Sequence, residues 1–155
     1  NSAGSTNFLP VMSLVANAET TIDVASANIS WALITDGVGK SSSAGFSTDN
    51  QIQLQDSSAV RDQVQIDVAG TYKFEVSMEI KSGSGTPAVE VEIHDDDNTQ
   101  SLQIANRTMN SNNLDVISFT ATRQVTAGDK FSFNIKSSTS SSYTKNSYCI
   151  VTQIA

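Results

Sequence analysis

Cysteine is nearly absent from this 155-residue chain: Cys149 stands alone. One thiol can neither close an internal disulfide nor build a paired-cysteine zinc site. Its expected place is that of a small buried hydrophobe. Proline is scarce, with two residues, and histidine scarcer, with one. No apolar run approaches the ~18 residues of a membrane span, so no membrane insertion is expected. Basic residues are outnumbered, 9 against 16 acidic, giving a net charge of −7 and a pI near 4.4. A phosphate backbone or an anionic bilayer would be repelled, which removes nucleic acid from the expected partners. Sustained 3.6-residue periodicity is missing, and so is the Ala/Leu/Glu/Lys richness of helical domains.

Ser, Thr, Asn and Gln fill the gap between a hydrophobic fraction of 38% and a charged fraction of 16%. That mix suits an extracellular all-β domain. A chain of this size buries roughly 68–70% of its unfolded surface and needs no staple.

The strongest local signal runs through Val68–Ile80. Tyr72, Phe74, Val76, Met78 and Ile80 alternate with Thr71, Lys73, Glu75, Ser77 and Glu79, the mark of a half-buried antiparallel strand. Val89, Val91 and Ile93 repeat the pattern, as do Phe131, Phe133 and Ile135. Residues 1–7 read as a linker stub and residues 8–155 as a single domain of roughly eight to ten strands, a sandwich or jelly roll. Phe8–Ala16 and Tyr148–Ala155 are apolar in both phases, and Pro10 suggests an edge strand or arm for the former. Apolar phase flips between Val116 and Ile117, as a bulge would require. Trp31 is expected in the core or at an interface. Segments 36–50, 106–113 and 137–147 read as polar loops, and His94–Asn98 as a hairpin turn.

The second half, from about residue 60 to the end, carries V-A-G-T-Y-K-F-E-V at Val68–Val76 and V-T-A-G-D-K-F-S-F-N-I at Val125–Ile135. In this it resembles the tumour necrosis factor-like jelly roll in its complement-head variant. Gly70, Tyr72 and Phe74 match a Gly-x-Tyr-x-Phe strand; Gly128, Asp129, Phe131 and Phe133 match a Gly-Asp turn into an aromatic strand. An apolar last strand follows. The resemblance implies a compact homotrimer at the tip of a stalk, as in complement proteins, bacterial spore surfaces and bacteriophage spikes. Low aromatic content, 6%, departs from the animal members and points to a phage or bacterial surface tip. Two apolar faces on each terminal segment agree with a symmetric partner, with Phe8, Leu9, Tyr148, Ile150 and Ile154 as interface candidates.

The expected role is therefore a non-enzymatic head of a phage spike or fibre that binds a host-surface protein or glycan, located outside the cell or on a virion. Alternatives are an assembly head of a bacterial or spore surface filament and a carbohydrate-binding module. Receptor contacts are sought on the polar loops, at Arg107, Asn110, Asn112, Ser141, Tyr143 and Lys145. No cofactor is expected. Asp95, Asp96 and Asp97 could ligate calcium, but they do not fit EF-hand spacing, and a polar hairpin tip is the simpler reading. A catalytic triad would have to use His94, for which a solvated turn is preferred. Glu75/Glu79 and Glu90/Glu92 share strand faces by period alone. Asn28-Ile-Ser30 and Asn106-Arg-Thr108 are glycosylation sequons that matter only in a secreting eukaryote.

Overall fold

The computed structural model describes residues 11–33, 52–56 and 61–155. Among the described residues, thirteen antiparallel strands form two sheets. They are β1 (Val11–Ala16), β2 (Thr20–Ile22), β3 (Ala27–Asn28), β4 (Trp31–Leu33), β5 (Ile52–Asp56), β6 (Arg61–Ile66), β7 (Gly70–Lys81), β8 (Ala88–Asp95), β9 (Gln100–Thr108), β10 (Leu114–Val125), β11 (Asp129–Ser137), β12 (Ser141–Tyr143) and β13 (Tyr148–Gln153). Four of them, β2, β3, β4 and β12, have three residues or fewer, which is why a reading of alternation finds fewer strands.

The first sheet is built on β7. Its whole length pairs with β10 on one edge, while β13 and then β12 share the other. β1 follows β13, β4 follows β1, and β2 flanks β12. The second sheet runs β5-β6-β11-β8-β9, with β3 beside β11. The chain changes sheets repeatedly, among other places at β6–β7, β7–β8, β9–β10, β10–β11 and β11–β12, the connectivity of a jelly roll.

Period-two alternation decides which side chains enter the core. Met12, Leu14, Phe74, Val76, Met78, Cys149 and Val151 enter from the first sheet; Val64, Ile66, Val91, Ile93, Phe131, Phe133 and Ile135 enter from the second. Trp31, fully buried, meets Phe133 edge-on with centroids 5.5 Å apart, and Phe74 lies 5.1 Å from Phe131. Tyr72 is also buried, and its hydroxyl donates to Val68 O at 2.8 Å. Burial pushes that phenol up to about 12. Gly70 is required by close approach. Thr71 N donates to Ala155 O at 2.8 Å, and a Cβ on Gly70 would fall 2.7 Å from that oxygen. Gly128 turns the backbone into β11 at φ +95, a conformation that side chains disfavour.

Several expectations are corrected. β1 is interior from Val11 on, pairing with β13 on one edge and β4 on the other. β10 holds one register against β7 from Leu114 to Val125, with no bulge at Val116. The irregularities fall at Ile93/His94 and Gln55/Asp56 instead. β8 and β9 extend through Asp95 and Thr108, so His94 and Asn106 are strand residues. Segment 137–147 contains β12, and Met109 is buried under Pro87 O. Loop 36–50 lies outside the described residues.

Candidate interaction surface

The two sheets differ on their outward faces. On the first, cross-strand register aligns side chains in rows. One row runs Val15, Tyr148, Ser77, Ser118; the next runs Ser13, Ile150, Glu75, Thr120; a third runs Val11, Thr152, Lys73, Thr122. Tyr148 is 41% exposed and Val11 38%; Val15 and Ile150 are half-buried. Their neighbours are mostly hydroxyl side chains, and Ser118 Oγ donates to Ser77 Oγ at 3.0 Å. The charges in these rows, Lys73 and Glu75, pair with each other at 3.3 Å, and Glu79 and Lys81 continue the outward face of β7, Lys81 pairing with Glu19 at 3.3 Å.

β10 adds a second apolar pair at the sheet edge, Leu114 opposite Lys81 and Val116 opposite Glu79, across β7 from the first patch. Its inward residues are Ile117, Phe119 and Ala121, with Phe119 only half-buried; Leu114 and Val116 point outward. The phase change thus marks a switch in which face is apolar, along one straight strand. Leu114 is 53% exposed and Val116 38%. The neighbouring edge strand β9 is fastened to β10 by Arg107, which reaches Asp115 at 2.6 Å and donates to Val116 O at 2.7 Å.

The outward face of the second sheet is mostly polar, with Ile104, 45% exposed, as an apolar member. Lys136, Glu90 and Asn106 form one row; Asn134, Glu92 and Ile104 form the next. Lys136 pairs with Glu90 at 3.5 Å and Asn134 Nδ2 donates to Glu92 at 3.1 Å.

The residues singled out from sequence scatter. Tyr148 and Ile150 share the first sheet's outer face, and Ile154, 47% exposed, follows β13. Phe8 and Leu9 lie outside the described residues. Tyr143, expected on a loop surface, is instead buried at 1% exposure because β12 is zipped between β2 and β7; its hydroxyl accepts from Ser30 N at 3.4 Å. It cannot meet a ligand there. Ser141 is buried as well, accepting from Gly83 N, so it too is withdrawn from the loop surface. Lys145, Asn110 and Asn112 are exposed, and Arg107 is held by Asp115.

The three aspartates do not converge. Asp95 is buried and takes Arg123 at 3.2 Å and Asn98 Nδ2 at 2.8 Å. Burial alone would raise its pKa, but the Asn98 hydrogen bonds and Arg123 outweigh it and hold the carboxyl below the ordinary range. Asp96 accepts from Ser132 Oγ, Gln63 Nε2 and the His94 ring, each at 2.8 Å; Asp97 accepts from Lys130 N at 2.7 Å. Among the described residues no cluster of metal-ligating side chains forms. In the His94 network the carboxylate lies between serine and imidazole. A serine nucleophile needs the imidazole in that position. Glu79 accepts from Thr144 Oγ1 at 2.7 Å and Asn146 Nδ2 at 3.0 Å, and these bonds hold it below the usual carboxylate range. Cys149 is fully buried, which pushes its thiol up.

Leu114, Val116, Val11 and Val15 were not among the sequence candidates. Their signal was present as apolar residues in the second phase of β1 and β10, but only register shows that these residues share one outer face.

The strand order and crossovers define a jelly-roll sandwich of tumour necrosis factor-like form. Among solved structures, murine APRIL at pH 5.0 superposes with a TM-score of 0.67 at 13% identity, covering 94% of this chain and 99% of that one. Murine APRIL at pH 8.5 gives 0.64 at 12%, covering 94% and 98%. Eiger TNF from S. frugiperda gives 0.63 at 10%, covering 96% and 94%. At such identities the likeness is one of fold. No family model matches the sequence, and no curated protein matches it.

Proposed function

We propose that the chain is a non-enzymatic, extracellular head that assembles as a homotrimer through the outer face of its first sheet and serves in attachment, at the tip of a phage spike or fibre that binds a host-surface receptor. The observation that carries this reading is the contrast between faces. Val11, Val15, Tyr148 and Ile150 form one apolar outward patch on the first sheet and Leu114 and Val116 a second on β10, while the other sheet presents mainly paired charges and amides, with Ile104 among them. An apolar face of this kind is the mark of a protein contact. A ring of three copies closes such a contact without leaving it open. The fold's resemblance to tumour necrosis factor-like heads supports the same assembly. Three identical heads on one stalk would convert weak single contacts into avidity.

Sedimentation equilibrium over a dilution series tests the assembly. The expected mass is three chains of 16.5 kDa, about 50 kDa, with little dissociation. A monomer at all concentrations refutes it. The attachment role is tested by adding the free head to susceptible cells. Cell staining and blocked infection are expected; a trimer that does neither is an assembly module of a surface filament instead.

A further inference from the structure

The polar face of the second sheet carries a cleft of about 560 Å³, within the usual size range of small-ligand sites. Two cross-strand rows make its floor. One is Lys136, Glu90, Asn106; the other is Ser138, Ala88, Thr108. The second row is low in the middle, because Ala88 offers only a methyl group between two hydroxyl side chains. Val24, 71% exposed, lines one side.

We propose that this cleft is a binding site for a neutral sugar, one per protomer; the inference rests on the reading of the chain as an attachment head and names the chemistry of its receptor. The donors and acceptors are those a pyranose hydroxyl pattern needs: a carboxylate, an ammonium, a carboxamide and hydroxyls within one small patch. Among the described residues, the Asn106 amide and Thr108 hydroxyl make no side-chain hydrogen bond, so neither has an internal partner to give up. Val24 supplies an aliphatic surface for the C–H face of a ring. At the centre of the cleft backbone recognition is closed off, because β8 is paired on both edges and Ala88 N is already satisfied by Ser138 Oγ at 2.8 Å.

Charge selects against acidic sugars. Arg107 lines the cleft, but its guanidinium is committed to Asp115 and Val116 O. The remaining cation, Lys136, is 3.5 Å from Glu90, and the chain as a whole carries −7. The cleft lies on the sheet opposite the apolar face, so assembly through that face leaves it open.

The test is amide-shift mapping by NMR with the methyl glycosides of glucose, galactose and N-acetylglucosamine, and N-acetylneuraminic acid as the anionic control. Saturable shifts at Val24, Glu90, Asn106 and Thr108 are expected, with dissociation constants in the millimolar range for a single shallow site. Asn106→Ala should weaken binding about fivefold, the cost of one hydrogen bond, at an unchanged melting temperature. Glu90→Gln should weaken it similarly. Shifts that map elsewhere overturn the proposal, as do tighter binding of the anionic control, an Asn106→Ala variant that binds as wild type, and no saturable shift with any neutral glycoside. A trimer without sugar shifts removes the sugar site alone; a monomer with them removes the trimer alone.

Discussion

Replacing Val116 by lysine separates the assembly from the fold. Val116 is 38% exposed and sits directly across from Glu79 on β7. In a free protomer the new ammonium faces that carboxylate, and cross-strand opposite charges contribute roughly 0.2–1 kcal/mol. The protomer's stability should therefore stay within about 0.5 kcal/mol of wild type. In the proposed trimer the balance changes sign. Fully burying a valine is worth about 1.5–3 kcal/mol, so the exposed part of Val116 contributes about 1 kcal/mol per copy. Losing it three times removes about 3 kcal/mol per trimer. Drying three ammonium groups adds several kcal/mol each, only partly offset by Glu79. A total on the order of 10 kcal/mol, at tenfold per 1.4 kcal/mol, converts the trimer to monomer at micromolar protomer. Sedimentation equilibrium of Val116→Lys beside wild type reads the mass, and a thermal melt confirms that the protomer is folded. A folded variant that stays trimeric with dissociation within about fivefold of wild type would refute the argument, since a threefold desolvated charge cannot be that cheap.

Three further outcomes follow from the core and the turns. Phe133→Ala removes the ring between Trp31 and Phe74 and should cost about 3–5 kcal/mol in urea unfolding at fixed protomer concentration; a loss below about 1 kcal/mol would mean the site collapses or is not close-packed. Asp95 and Glu79 both have lowered pKa values. Each therefore contributes stability that is complete above the ordinary carboxylate range and is lost as pH falls through its lowered value. The melting temperature should be flat near neutrality and fall below about pH 4; Asp95→Asn should lower it at neutral pH and flatten the acid limb, and an unchanged acid limb would contradict the role given to Asp95. Cys149, fully buried with its thiol pushed up, should resist an aromatic disulfide reagent in the native state and react once urea unfolds the chain; rapid native labelling would place the thiol at the surface.

The all-β class and the strand faces of β7, β8 and β11 were determined by sequence alone. Period two is a local property of the pleat, so Tyr72, Phe74, Val76 and Met78 had to share a face whatever covered it. Composition likewise fixed the acidic, disulfide-free character of the chain. What covers a face is a matter of register between distant strands, and that only the tertiary structure decided. The phase change at Val116/Ile117 reads equally as a bulge or as a strand whose outward residues turn apolar. The unbroken pairing of Leu114–Val125 with β7 selects the second. Tyr143 has no periodicity around it, and its burial comes from β2 and β7, which no local pattern near residue 143 could announce. Asp95, Asp96 and Asp97 are adjacent in sequence, yet each carboxylate turns to a different partner on another strand or turn. The cleft beside Glu90 and Asn106 exists only because β8, β9 and β11 align in one register. Alternation is set by neighbours one and two residues away; surfaces and sites are set by pairing across the fold, where the chain's order no longer measures distance.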